Sequence, residues 1–195
     1  MTHEEANLRT KEMLAGSLKK LMAKKPLKKI TVSDIVTDCN LNRKTFYYHF
    51  EDIYALIKWT LEQEAIDVVK NLDVIGKPDE VLTFVVNYVN ENSHILNCAY
   101  DSIGRDELKR FFYNDFSSIV GDAITRCEKQ NEIHISDGFR EFLTCFFTEA
   151  IAGMLVNSFK MKEDIDIEAV TSYVRAIVLS LPDILYHGIA IESAK

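Results

Sequence analysis

An all-α fold is what this sequence predicts, on three observations. Its 195 residues include only seven glycines and three prolines, too few breakers for a chain of short strands and tight hairpins. Apolar residues return every three or four positions over long stretches, whereas period-two alternation is scarce. A content of 47% hydrophobic and 10% aromatic residues supplies a core for one sizeable domain or two small ones.

Charge divides the chain before any motif does. Residues 1–50 hold ten Lys or Arg against five Asp or Glu, and the rest hold thirteen against twenty-five, so the net charge of −7 conceals a basic end. That asymmetry fits a segment that meets a polyanion, joined to a body that does not share its partner. No window reaches the ~18 uncharged apolar residues of a membrane span, and residues 1–20 carry Glu4, Glu5 and Glu12 without an apolar leader. A cytoplasmic protein without membrane contact is expected. Cys39, Cys98, Cys127 and Cys145 lie far apart with no C-x-x-C pair, which points to buried thiols in a reducing compartment and away from a zinc or redox motif.

The elements follow in order. Leu14, Leu18, Leu21 and Met22 place one stripe on a first helix from about Glu5 to Lys24, stopped before Pro26. In "ITVSDI" Thr31 caps a second helix, Asp34 completes a capping box, and Ile30 with Ile35 forms a hydrophobic staple. Asn40 tolerates the left-handed conformation that ends one helix and turns into another. Leu41 and Phe46 then bracket Asn42, a second good cap, so a third helix begins at once. Two short helices across a tight turn, after a longer supporting helix, make a helix-turn-helix.

Geometry assigns the faces of that third helix, within "LNRKTFYYHF". Phe46 and Phe50 share the inner face at i, i+4 spacing with Leu41. Arg43 with Tyr47, Lys44 with Tyr48, and Thr45 with His49 form three outward pairs. Cations and hydroxyls donate to phosphate oxygens and base edges, and a tyrosine ring adds stiff apolar contact to a sugar or a thymine methyl.

The segment "ITVSDIVTDCNLNRKTFYYHFEDIYAL" resembles the DNA-binding domain of the TetR family of bacterial transcriptional regulators, over about the first quarter of the chain. Asn40 stands where that family usually has glycine and Asn42 where it often has serine, and both keep the local physics. The resemblance implies a homodimer whose recognition helices enter successive major grooves of a palindromic double-stranded operator. It implies an N-terminal DNA-binding domain at 1–50 and an all-helical dimerisation and effector-response domain at 51–195. It carries phosphate contacts onto Thr45, Tyr47 and His49, base-edge or groove contacts onto Arg43, Lys44 and Tyr48 beside the capping Asn42, and a backbone contact onto Thr31. "FEDIYALIKW" further resembles the branch of dihydroxyacetone kinase regulators, some of which answer to a protein partner and activate transcription. The expected function is a repressor released by a small-molecule effector. The alternative is an activator or repressor governed by a protein co-regulator.

Beyond the head, Asp52 caps a fourth helix with the stripe Ile53, Ile57, Leu61, Val68 and Leu72, expected to extend to Gly76. A fifth helix is expected over about Asp79 to Asn97, then a break around Cys98 to Gly104, then a sixth to about Gln130, interrupted near Tyr113. In "FFTEAIAGMLVNSF" the positions Phe146, Ala150, Gly153 and Asn157 form a stripe that admits close approach by another helix. A final helix from about Ile167 to Ile191 presents Tyr173, Ile177, Leu181 and Ile184, kinked by Pro182. Two such helices from each subunit make a dimer bundle. Tyr100, Arg105 and Tyr113, near the expected break, are the candidate effector residues. No H-E-x-x-H, G-x-S-x-G, P-loop or G-x-G-x-x-G occurs, so neither an enzyme nor a bound cofactor or metal is expected.

Overall fold

Thr2 starts the first helix by a device that the second repeats. Its hydroxyl accepts from the Glu5 amide at 3.2 Å while the Glu5 carboxylate accepts from the Thr2 amide at 2.7 Å, a capping box. The computed structural model describes residues 2–159 and 167–193, of which Ile167 is described by its backbone alone. Those residues form eleven α-helices and no strand. Helix α1 spans His3–Met22, with Leu14, Leu18 and Met22 on its buried face and Leu21 half covered.

A 3-10 turn at Leu27–Lys29 leads to α2 (Val32–Asp38), α3 (Arg43–His49) and α4 (Ile53–Leu61). Helix α1 packs on α2 and α4, and α2 on α3. The Ser17 hydroxyl, buried on α1, donates to the Ile35 carbonyl at 3.2 Å, so this buried polar group is satisfied.

Helix α4 does not continue to Gly76. A π-helical turn at Glu62–Ile66 follows it, then a short α5 at Asp67–Lys70. The π turn inserts one residue into the repeat, so the buried positions run Leu61, Ile66, Val69, and Val68 is turned outward. The expected stripe through Val68 and Leu72 assumed an unbroken α-helical register. Glu64, inside the π turn, accepts from Lys19 of α1 with both carboxylate oxygens at 2.9 Å. At residues 73–76 the Asp73 carboxylate accepts from the Gly76 amide at 3.0 Å, closing the loop.

Helix α6 spans Pro78–Glu91, α7 Ser93–Ile103 and α8 Arg105–Asn131. The break expected at 98–104 therefore lies on either side of α7: at Asn92, and at Gly104, whose φ of 92° only glycine adopts freely. Helix α8 is continuous past Tyr113. Helix α9 spans Asp137–Ser158, capped by the Ser136 hydroxyl, and α10 (Ile167–Leu179) and α11 (Leu181–Glu192) are separate helices. Their separation at Ser180 matches the kink expected from Pro182, which sits in the first turn of α11, where a missing amide is tolerated.

Two compact units emerge from the contacts: residues 1–67 with 92–108, and residues 68–91 with 109–195. In the first, α7 packs on α1 and on the 3-10 turn, and His94 Nε2 lies 2.6 Å from the Met22 carbonyl, to which it donates. In the second, Val120, Ile124, Cys127, Ile133, Ile135, Leu143, Leu181 and Leu185 form one buried cluster, and α10 packs on α6. The α8–α9 turn is held by Glu128. Its buried carboxylate takes Arg140 Nε and Nη2 at 3.0 Å each and the Ile135 amide at 3.2 Å.

The second unit leaves large apolar side chains uncovered on three helices. Phe142, Phe146 and Met154 of α9, Tyr173, Ile177 and Leu179 of α10, and Tyr186 and Ile191 of α11 are all exposed. Leu181, grouped with that stripe in the sequence, turns inward. Within the segment 168–192 an 18-residue window of mean hydropathy 1.4 is, by length and composition, apolar enough to cross a bilayer, although Arg175 and Asp183 interrupt it and the α10–α11 break divides it. Among the cysteines only Cys127 is buried; Cys39 and Cys98 are half-buried and Cys145 is exposed, so the expectation of buried thiols holds for one of four.

Candidate nucleic-acid interface

The turn before α3 is what aims it. Asn40 has φ 54°, the Leu41 amide donates to the Val36 carbonyl at 2.8 Å, and the Asn40 amide donates to the Thr37 carbonyl at 3.2 Å. These two bonds make a Schellman motif. Asn42 Oδ1 then accepts from the Thr45 amide at 2.9 Å and from the Thr45 hydroxyl at 3.1 Å, capping α3. Phe46 is fully enclosed and Phe50 is buried, their rings 6.0 Å apart, and this pair fixes which side of α3 faces in.

The opposite side carries the predicted residues. Asn42, Arg43, Lys44, Tyr47 and Tyr48 are exposed, and Thr45 and His49 half-exposed. Tyr48 is 68% exposed and Tyr47 52%, values that core tyrosines do not show. Tyr47 packs edge-on against Phe46 at 5.5 Å and Tyr48 edge-on against His49 at 4.9 Å, which limits the rotamers of both phenols without covering their hydroxyls. Helix α3 contains no carboxylate.

Elsewhere in the head the cations are not equivalent. Lys19 is paired with Glu64, Lys20 with Asp38 and Lys25 with Asp34. Arg43, Lys44, Lys28 and Lys29 are exposed and form no ion pair among the described residues, so their charge is available to a polyanion. Thr31 is exposed too, but its amide and hydroxyl both donate to Asp34 Oδ2 at 2.8 Å. The Lys25 ammonium first, then the Thr31 amide and hydroxyl, hold the Asp34 carboxyl down at about 2.

One residue at this site has no signature in the sequence. Lys11 of α1 sits 5.9 Å from the Phe50 ring and 5.6 Å from the Trp59 ring, a cation–π arrangement. Burial first, and the Lys11 charge second, push the His49 imidazole below its usual pKa. A nearby anion acts in the opposite sense, favouring the charged imidazolium.

The candidate effector residues divide between the two units. Tyr100 and Arg105 belong to the first unit and Tyr113 to the second. Tyr113 and Tyr100 are half-buried and Arg105 is exposed. A groove of about 580 Å³ lies between α6 and α10.

Residues 76–179, just over half the chain, match the family model TetR_C_8, the transcriptional regulator C-terminal region. The chain belongs to the TetR family of transcriptional regulators. Within that family its likeness runs to the DhaS-like branch. It is 25% identical over 146 residues to the HTH-type dhaKLM operon transcriptional activator DhaS of Lactococcus lactis subsp. lactis (strain IL1403), covering 74% of this chain and 76% of that protein. A solved structure of the dihydroxyacetone kinase operon activator DhaS shares the fold at a TM-score of 0.73 and 22% identity, covering 90% of this chain and 97% of the other. The TetR regulator thus pairs a helix-turn-helix, legible in its first fifty residues, with a C-terminal region of the same family.

Proposed function

We propose that this TetR-family regulator binds a specific palindromic operator as a homodimer through α2 and α3, in the cytoplasm, with no catalytic role. The observation that carries the reading is the outward face of α3: exposed Arg43, Lys44, Tyr47 and Tyr48 over a wholly buried Phe46. Arg43, Lys44 and Tyr48 read base edges or the groove, Thr45, Tyr47 and His49 contact phosphates, and Thr31 contributes its position at the start of α2. Residues 1–50 form the DNA-binding domain and 51–195 the dimerisation and regulatory domain.

The uncovered apolar side chains of α9, α10 and α11 support the homodimer. Two copies burying those side chains set two reading heads on one operator, and half-sites about 34 Å apart match one turn of DNA. The partner is a second copy, since a self-complementary patch closes with two-fold symmetry. Analytical ultracentrifugation of the parent and of a Phe146→Glu variant checks this. A dimer that becomes monomeric on substitution supports it, and a parent that is monomeric at micromolar concentration removes it.

On the direction of control, both named relatives are operon activators, which favours activation over the repression expected from the family at large. Control by a second molecule, a small effector or a protein co-regulator, acts on the 51–195 domain. Selection of binding sites from random duplexes identifies the operator. A reporter carrying that operator then distinguishes activator from repressor, and failure to enrich any site overturns the regulator reading.

A further inference from the structure

Lys19 and Lys25, half-buried on the head, are each neutralised by a carboxylate at 2.9 Å, Glu64 and Asp34. Lys11, also half-buried on α1, has no carboxylate partner among the described residues. Its ammonium lies instead 5.9 Å from the Phe50 ring and 5.6 Å from the Trp59 ring, two rings that stand 5.8 Å apart. Cation–π contact orients an ammonium and leaves its charge in place. The pair of rings therefore holds an unneutralised cation in one position, and a cation fixed before its anion arrives loses little freedom on binding it.

The neighbouring donor is on α3. The His49 ring lies 6.4 Å from the Phe50 ring and 4.9 Å from the Tyr48 ring. A row of rings, Tyr48, His49, Phe50 and Trp59, thus runs from the outward surface of α3 to the packed contact of α1 with α4, with Lys11 beside its last two members. His49 forms no hydrogen bond and no ion pair among the described residues, and the Lys11 charge is near enough to disfavour its protonation. Two unpartnered N–H donors of like charge repel each other, and one phosphate that accepts from both removes the repulsion.

We propose that Lys11 and His49 together hold one backbone phosphate of the operator, so that α1 contributes a DNA contact from outside the helix-turn-helix. The inference rests on α3 being the element that meets DNA. Lys11→Met keeps the stem on the two rings and removes the charge, and Lys11→Arg keeps both charge and ring contact. Binding of the full chain to the selected duplex and to a scrambled duplex of equal length, by fluorescence anisotropy over a salt series, reads the contact. Lys11→Met lowers the slope of log affinity on log salt by about 1 on both duplexes, which is about tenfold weaker binding at ~0.1 M salt when the curves converge near ~1 M. Lys11→Arg keeps the parent slope. A second readout needs no DNA: histidine ring shifts in the free chain, assigned with His49→Gln, show the His49 pKa rising in Lys11→Met. Scrambled duplex raises that pKa in the parent, and millimolar inorganic phosphate does not.

A salt slope unchanged in Lys11→Met, while Lys44→Ala weakens the selected duplex, removes the Lys11 contact and leaves the reading of α3 intact. An unmoved His49 pKa in Lys11→Met overturns the shared site, and equal shifts with inorganic phosphate and duplex assign it to a free anion and overturn the backbone contact. Selected-duplex affinity untouched by Lys44→Ala, Tyr47→Ala and Lys11→Met alike removes the reading of α3 and this inference with it.

Discussion

Asn40→Val probes the turn that aims the recognition helix. Asn40 holds φ at 54°, and a β-branched side chain in that region costs about 1–2 kcal/mol, more than asparagine, which tolerates it. The chain has two responses. Opening the turn forfeits the Leu41–Val36 and Asn40–Thr37 hydrogen bonds, about 0.5–1.5 kcal/mol each. It also draws the fully enclosed Phe46 out of its site, a loss comparable to truncating it, about 3–5 kcal/mol. Strain is the smaller sum, so the turn persists and the variant loses about 1–2 kcal/mol. For a chain of this length that corresponds to a fall in Tm of about 2–8 °C. Asn40→Gly stays within about 0.5 kcal/mol of the parent, because relief of strain is offset by greater freedom of the unfolded chain. Far-UV circular dichroism melts of the full chain read both variants, and amide exchange localises the loss to α2 and α3. A valine variant as stable as the parent, or a glycine variant that loses as much as valine, refutes the reasoning.

Other perturbations act through charge. Arg140→Met strands the Glu128 carboxylate, 6% exposed in its side chain, and costs about 3–5 kcal/mol in urea unfolding; a loss below about 1 kcal/mol contradicts the lock on the α8–α9 turn. Asp34 is held at about 2 by Lys25 and Thr31, and Glu128 is held below its usual value chiefly by Arg140. Both are depressed relative to the unfolded chain, so their contributions are complete above about pH 5 and fade as acid protonates them. Asp34→Asn, whose window runs from about pH 4 to 2, removes the lower part of that transition in an acid titration followed by circular dichroism. His49 has the opposite sense in the complex: free, its pKa is depressed, and a phosphate raises it. Operator affinity therefore rises as pH falls towards the depressed pKa of the free imidazole, and His49→Gln flattens that slope; a slope unchanged in His49→Gln excludes the contact.

The head was readable because its signals are local. Thr31 with Asp34, and Asn42 with Thr45, need only a few residues to declare a helix start, and each forms its expected bonds. The faces of α3 follow from the i, i+4 spacing of Phe46 and Phe50 alone. Elsewhere the registers depend on partners distant in sequence. Glu64 sits in a π turn and meets Lys19, 45 residues away, and no periodicity in residues 53–72 signals the inserted residue. Asn92 ends α6 without a proline or glycine, so the fifth helix was expected to run through it. Lys11 reaches Phe50 and Trp59 only because α1 and α4 pack side by side. The groove of the second unit likewise joins Asp79 to Arg175, two helices with nothing in their sequences to pair them.

Operator binding by the full chain as a function of salt tests the central claim most directly, with Lys44→Ala and Tyr47→Ala beside the parent on the selected duplex. The account predicts that each substitution weakens affinity by about 1–3 kcal/mol with no change in Tm, and that removing a cation at a phosphate-rich groove lowers the slope of log affinity on log salt by up to about 1. Unchanged operator affinity in both variants at fixed salt contradicts it, and α3 is then not the element that meets DNA.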